Sequence, residues 1–293
     1  MLSSNLDTLI KISVAGQVVS PAFHGLPSVP HIITRDGTPK LVPSWGGIVY
    51  NVRVGMSAFG WVGDNIEPGV AIRNPETGPN EALNIYSCIG NEAVVMSGDA
   101  KGARGTVTGK SGRFAEHVII DFPQDAVDVM GIGDRVNVKA HGIGLAFDDL
   151  PDVAVKSCSP RLAEAMGLKL DRGKLVVPVV GCVPAELMGA GAGLTSEGGS
   201  ISIQTSDADL LAASGLDALR LGDVVAMTDY VSSFGHGFMR GAIGIGVVCH
   251  ADSYRAGYGP GLTVIMTSPN GQIVPRVEAG VNVASLLGIG TVG

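Results

Sequence analysis

Glycine constrains this chain more than any other feature. It makes up 43 of 293 residues and is spread through Val- and Ile-rich runs rather than gathered in a Gly-X-Y or Gly-Ser repeat. That is about twice the usual share. Glycine relieves the steric cost of positive φ, so such spacing predicts many tight turns and bulges between short strands. Aromatic residues are only 5% of the chain. The expected fold is mainly β, built of barrel or sandwich units rich in glycine turns, with a few short helices.

The order of segments refines this. Residues 6–19 give one or two short elements, and a turn-dense stretch then runs to about Pro79, with Ile48–Val54 as a strand within it. His24 and His31 lie there as loop histidines. In residues 58–72, Trp61, Asp64, Asn65 and Glu67 cluster between apolar residues and read as a turn satisfied by Asp64 and Asn65. Ser159-Pro160 followed by RLAEAMGL predicts a short capped helix ending at Gly167. DADLLAASGL predicts another. The Gly-Asp idiom IGDRVNV (132–138) returns as LGDVVAM (221–227), each a turn entering an alternating strand. The boundary between two β-rich domains is expected near residue 170, giving 1–170 and 171–293.

Composition excludes several function classes. The formal net charge is −7 with 16% charged residues, so a phosphate-binding nucleic-acid surface is not expected. No apolar run approaches a bilayer span, and the N-terminus lacks a signal-peptide pattern. A soluble, cytoplasmic protein is expected, and the low charged share points to surface covered in a homo-oligomer. Cys88, Cys158, Cys182 and Cys249 have neither disulfide-framework nor zinc-ribbon spacing. No GxSxG, HExxH or Walker loop occurs, and Gly189, Gly191 and Gly193 lack the phosphate-binding context of a nucleotide cofactor site.

Residues 92–122 predict a three-stranded meander: VVMSG into a turn, KGARG as a glycine connection, TVTGK returning and HVIIDF as the third strand. Gly98, Lys101, Gly102, Arg104, Gly105 and Val107 resemble the KOW motif of ribosomal and transcription-elongation proteins. That likeness, over residues 94–122, implies an SH3-like barrel segment; RNA contact does not follow from it, the nearby basic residues being Lys101, Arg104, Lys110 and Arg113.

Most chemistry is concentrated at 234–268, where His236, Arg240, Cys249, His250, Asp252 and Arg255 interrupt apolar runs. Polar groups at the ends of buried strands are candidate site residues. His236, His250 and Asp252 are the catalytic candidates. His236, His250 and Asp99 form a candidate divalent-metal set, since imidazole with carboxylate suits such ions. Arg240, Lys101 and Arg104 are candidates for holding a small anionic substrate. Cys249 reads as a core residue, because its neighbour His250 points to the opposite strand face.

The tracts at 59–70, 89–112, 219–229, 240–252 and 257–268 together resemble the DUF4438 family, a domain of unknown function. That resemblance implies no activity. A slighter likeness to acetamidases and formamidases runs through SISIQ and LRLGDVVA, although TDYVSSFGHG replaces the acid- and histidine-rich turn of that family. The expected function is a small-metabolite hydrolase, metal-assisted, with its site at strand ends between the halves. The alternative is a binding or assembly protein that uses the KOW-like hairpin to contact RNA or a protein partner.

Overall fold

The computed structural model describes residues 2–21, 31–112, 116–191 and 196–290. His24, Arg113 and Gly193 lie outside these residues.

The fold is mainly β. Six antiparallel strands close into a barrel in the order Ile12–Val18, Arg135–Ala140, Glu92–Val95, Arg104–Ser111, His117–Asp121 and Gly69–Arg73. Pairing of Gln17 with Arg73 and Val18 with Ile72 closes it. A short strand, Ile48–Val49, extends the last member. Alternating side chains fill the interior, among them Val14, Val70, Ile72, Val107, Ile120 and Val138, because successive strand residues face opposite sides. The helix Thr77–Tyr86 drives Leu83 into this core. Gly16 leaves the room: a Cβ there would stand 2.8 Å from Leu83.

The second sheet is mixed. Its order is Ala154–Val155, Gly261–Ser268, Gly237–His250, Val224–Val231 and Gly181–Val183, the last pair parallel, with Ile201–Ser202 also on the Gly261–Ser268 strand. A third sheet joins Lys169–Asp171, Lys174–Val179 and Ile273–Val277. Beyond the Thr77–Tyr86 helix, the α-helices among the described residues are four to six residues long. Pro160–Ala165 starts as expected, with Ser159 Oγ accepting from Leu162 N at 3.1 Å. No helix among the described residues is long and apolar enough to cross a membrane.

The repeated Gly-Asp idiom is one turn used twice. Asp134 accepts from Gly131 N at 2.8 Å and Asp223 accepts from Arg220 N at 2.7 Å. The first turn feeds a closed barrel and the second an open mixed sheet, so likeness stops at the turn.

Barrel and second sheet meet along the Arg104–Ser111 strand, which lies against Gly237–His250 and Gly261–Ser268. Gly109 permits this approach, since a Cβ there would collide with the Cβ of Cys249. Thr263 Oγ1 accepts from Lys110 N at 2.9 Å and donates to Lys110 O at 3.0 Å. The chain therefore places the last residues of a barrel strand, Lys110 and Ser111, in a junction closed from water.

Candidate functional site

Three sets of polar side chains gather at this junction. On one face, Glu67 is buried and accepts from Gly46 N at 2.8 Å, from Ser111 Oγ and from His117 Nδ1 at 3.1 Å. Burial alone would raise the Glu67 carboxyl. The His117 charge and these hydrogen bonds outweigh it and hold Glu67 below the usual carboxylate range. For His117 burial again opposes the charged form, and Glu67 overrides it, so the imidazole is held above the usual histidine range. The edge of Trp45 packs on His117. A cavity of 640 Å³ lined by Pro21, Ser44, Gly46, Asn51, Trp61 and Ile66, among others, reaches the Gly46 backbone that caps this pair.

Opposite Ser111, Lys110 runs the other way along the pleat and is fully buried. Its Nζ donates to Glu197 O at 2.6 Å, Ser157 Oγ at 2.9 Å and Ile85 O at 3.3 Å. Burial pushes its ammonium down to about 8, against the favourable influence of Cys88 and Glu197. The neighbouring Lys156 donates to Glu197 Oε1 and to Ser233 O, both at 2.6 Å. Two lysines thus fasten one residue of the 196–200 loop.

That loop carries the third set. Ser200 N donates to Gly112 O at 3.0 Å, and Ser200 Oγ lies 3.2 Å from His250 Nε2. His250 Nδ1 lies 3.1 Å from Ala251 O. A carbonyl can only accept, so Nδ1 carries the proton and Nε2 accepts from the serine. Burial holds His250 below the usual histidine range despite the Ala251 carbonyl and the charges of Glu67, Asp64 and Asp252. His250 is therefore a neutral base, 3% exposed, bonded to a half-buried hydroxyl. Gly261 makes space for its ring, because a Cβ there would overlap the imidazole. A hydroxyl, a neutral imidazole and a group orienting that imidazole form the arrangement of an activated nucleophile.

The residues expected from sequence are only partly brought here. His250 is in the site. Asp252 lies beside it but is engaged elsewhere, accepting from Thr205 Oγ1 at 2.8 Å and Ser253 N at 2.7 Å; burial raises its carboxyl. His236 precedes the strand that His250 ends, stacks on Tyr230 and has Nδ1 3.1 Å from Ser232 Oγ. Burial pushes it down to about 4, although Glu197 opposes this. Ser232 is fully buried. Asp99 and Lys101 are exposed in the hairpin turn. Arg104 is 2.6 Å from Glu92 and begins the strand that Ser111 ends, about 20 Å away. Arg240 is exposed on the Gly237–His250 strand. The metal set of His236, His250 and Asp99 is not assembled: among the described residues no three His, Cys, Asp or Glu side chains could hold a metal ion together.

Two other readings change. Lys110, counted with the basic hairpin surface, is fully buried because the strand end enters the junction. His141, which follows the Arg135–Ala140 strand, is half-buried with Nε2 enclosed and unpartnered. In 58–72, Asp64 does satisfy its surroundings, accepting from Ser253 Oγ at 2.6 Å and Tyr254 N at 3.1 Å, whereas Glu67 belongs to the junction. Cys249 is buried as expected, its thiol raised by burial to about 12. Ser200, His117, Ser157, Lys156 and Glu197 were not singled out. A lysine ending the β-type run TVTGK and the Gly-Gly pair before Ser200 were the available signals.

The chain matches the DUF4438 N-terminal domain of unknown function over residues 31–164 and the C-terminal domain of the same family over 165–287. Among curated proteins there is no match. It is similar to a solved structure described as "Crystal structure of TM1086", at 40% identity and a TM-score of 0.91, over 97% of this chain and 98% of that one. With both halves matched in order, the chain belongs to the DUF4438 family.

Proposed function

We propose that this protein is a hydrolase of small polar esters or amides, with Ser200 as nucleophile and His250 as general base. The observation that carries this reading is the Ser200 Oγ to His250 Nε2 approach of 3.2 Å, with the tautomer fixed by Ala251 O. In the reaction, Ser200 Oγ attacks the carbonyl carbon as its proton passes to His250 Nε2. That proton then goes to the leaving amine or alkoxide as the carbon–heteroatom bond breaks. Water, deprotonated by His250, attacks the acyl-serine, and the proton returns to Ser200 as the acid departs. Four cysteines without a disulfide suit a reducing compartment, the cytoplasm.

Fluorophosphonate labelling followed by peptide mass mapping tests the assignment. The expected adduct is on Ser200, lost in Ser200→Ala and strongly suppressed in His250→Gln. Wild-type protein that stays unlabelled at Ser200 under conditions that label a control serine hydrolase would end the reading.

The alternative is contact with RNA or a protein partner through the KOW-like hairpin. Its support is the exposure of Lys101 and Arg104, but the Arg104 charge is offset by Glu92. Salt-sensitive retention on immobilised RNA, abolished in Lys101→Ala/Arg104→Ala, would favour this alternative.

A further inference from the structure

A second cavity stands at the end of the barrel where the Ile12–Val18 and Glu92–Val95 strands begin and the Arg135–Ala140 strand ends. It measures 470 Å³, and its lining includes Lys11, Asn91, Lys139, His141, Ser159 and Arg161. Such a volume is ordinary for a small-molecule site. The surplus of positive charge is unusual on a chain of net charge −7. Among the described residues Glu92 is the one acid lining the cavity, and both Lys139 and Arg104 lie 2.6 Å from it. Arg161 spends Nη2 on Leu287 O at 3.0 Å, and the rest of its fork bonds no other described residue. Lys11 bonds no described residue.

The floor of this cavity is held in place. Asn91 is 4% exposed; it accepts from Cys88 N at 2.8 Å and from His141 N at 3.2 Å, and donates to His141 O at 2.8 Å. One side chain thereby clamps both backbone groups of His141. The imidazole leaves this clamp with Nε2 enclosed and unpartnered.

We infer that this cavity binds a small oxyanion, the phosphate or carboxylate group of a metabolite, between Lys11 and Arg161. Guanidinium and ammonium groups give charge-assisted hydrogen bonds to either anion, and arginine can do so through two parallel bonds. The inference does not depend on the Ser200–His250 pair, and neither Lys11 nor Arg161 touches that pair.

Titration calorimetry of the whole protein at low ionic strength, with inorganic phosphate in one arm and acetate in the other, tests it. Saturable binding is expected in at least one arm, and which arm responds identifies the group. The His141 imidazole resonances should move with the same saturation. Lys11→Ala/Arg161→Lys should weaken binding by about tenfold or more, while Lys174→Ala, at an exposed position that does not line the cavity, should leave it unchanged. Arg161→Lys keeps a cation beside Leu287, so a folding defect is not expected; an unchanged circular dichroism spectrum checks this. Absence of saturation in both arms, or equal affinity in the double variant, would overturn the proposal.

Discussion

Thr263 completes the backbone of Lys110 from another strand: its single hydroxyl accepts from the Lys110 N–H at 2.9 Å and donates to the Lys110 carbonyl at 3.0 Å. One side chain so fixes the depth at which the barrel strand enters the junction. Thr263→Val keeps the shape and removes both bonds, leaving the buried Lys110 N–H without this partner and its carbonyl with only the Cys249 thiol, 3.3 Å away. Destabilisation of about 1–3 kcal/mol is expected, measured by urea denaturation. Thr263→Ser should retain most of the stability.

Lys110 predicts an alkaline rise in stability. Its folded-state pKa of about 8 lies below the ordinary 10.5, so between those values the unfolded chain binds more protons. Stability contributed through this group therefore increases as pH rises across that window, by roughly 3 kcal/mol in all. Lys110→Met should lose this rise relative to wild type. The same variant should also loosen the 196–200 loop and lower fluorophosphonate labelling of Ser200.

The Glu67–His117 pair predicts the opposite trend near neutrality. His117 is raised above 6.5, so its contribution is complete below 6.5 and is lost as pH rises through the raised value. Glu67 is lowered below 4.5, so its contribution is complete above 4.5 and is lost as pH falls through the lowered value. The pair stabilises most between 4.5 and 6.5. Denaturation midpoints of His117→Gln should fall within this window and lose the alkaline decline above it. An unchanged pH profile would refute the pairing.

Thiol chemistry separates the four cysteines. Burial raises Cys88 to about 11 and Cys249 to about 12, and raises Cys158 further. Cys182 is half-buried and also raised by burial. In native protein, slow alkylation confined to Cys182 is expected, with the other three reacting only on unfolding. Peptide mapping after iodoacetamide treatment reads this directly.

How much of this was legible beforehand depends on the range of the interaction. Turn chemistry is local. The Gly-Asp turns at Asp134 and Asp223, the Ser159 cap and the meander through Arg104–Ser111 follow from neighbouring residues, and the sequence alone sufficed to expect a glycine-rich β fold. His250 was legible too, as a polar residue ending an apolar strand.

Its partner was not. Ser200 is 50 residues away and reaches His250 because a separate loop is tied to Gly112 and, through Glu197, to Lys110 and Lys156. The same holds for Glu67 and His117, again 50 residues apart. Strand periodicity tells which face a side chain takes, but not what packs on that face. The sequence by itself determined the β character, the turns and one histidine of the site. Only the tertiary structure decided that Lys110 is buried, that Glu67 leaves its turn for His117, and that His236, His250 and Asp99 stay apart. The reason is physical: closing the barrel against the second sheet sets which distant polar groups must satisfy one another away from water.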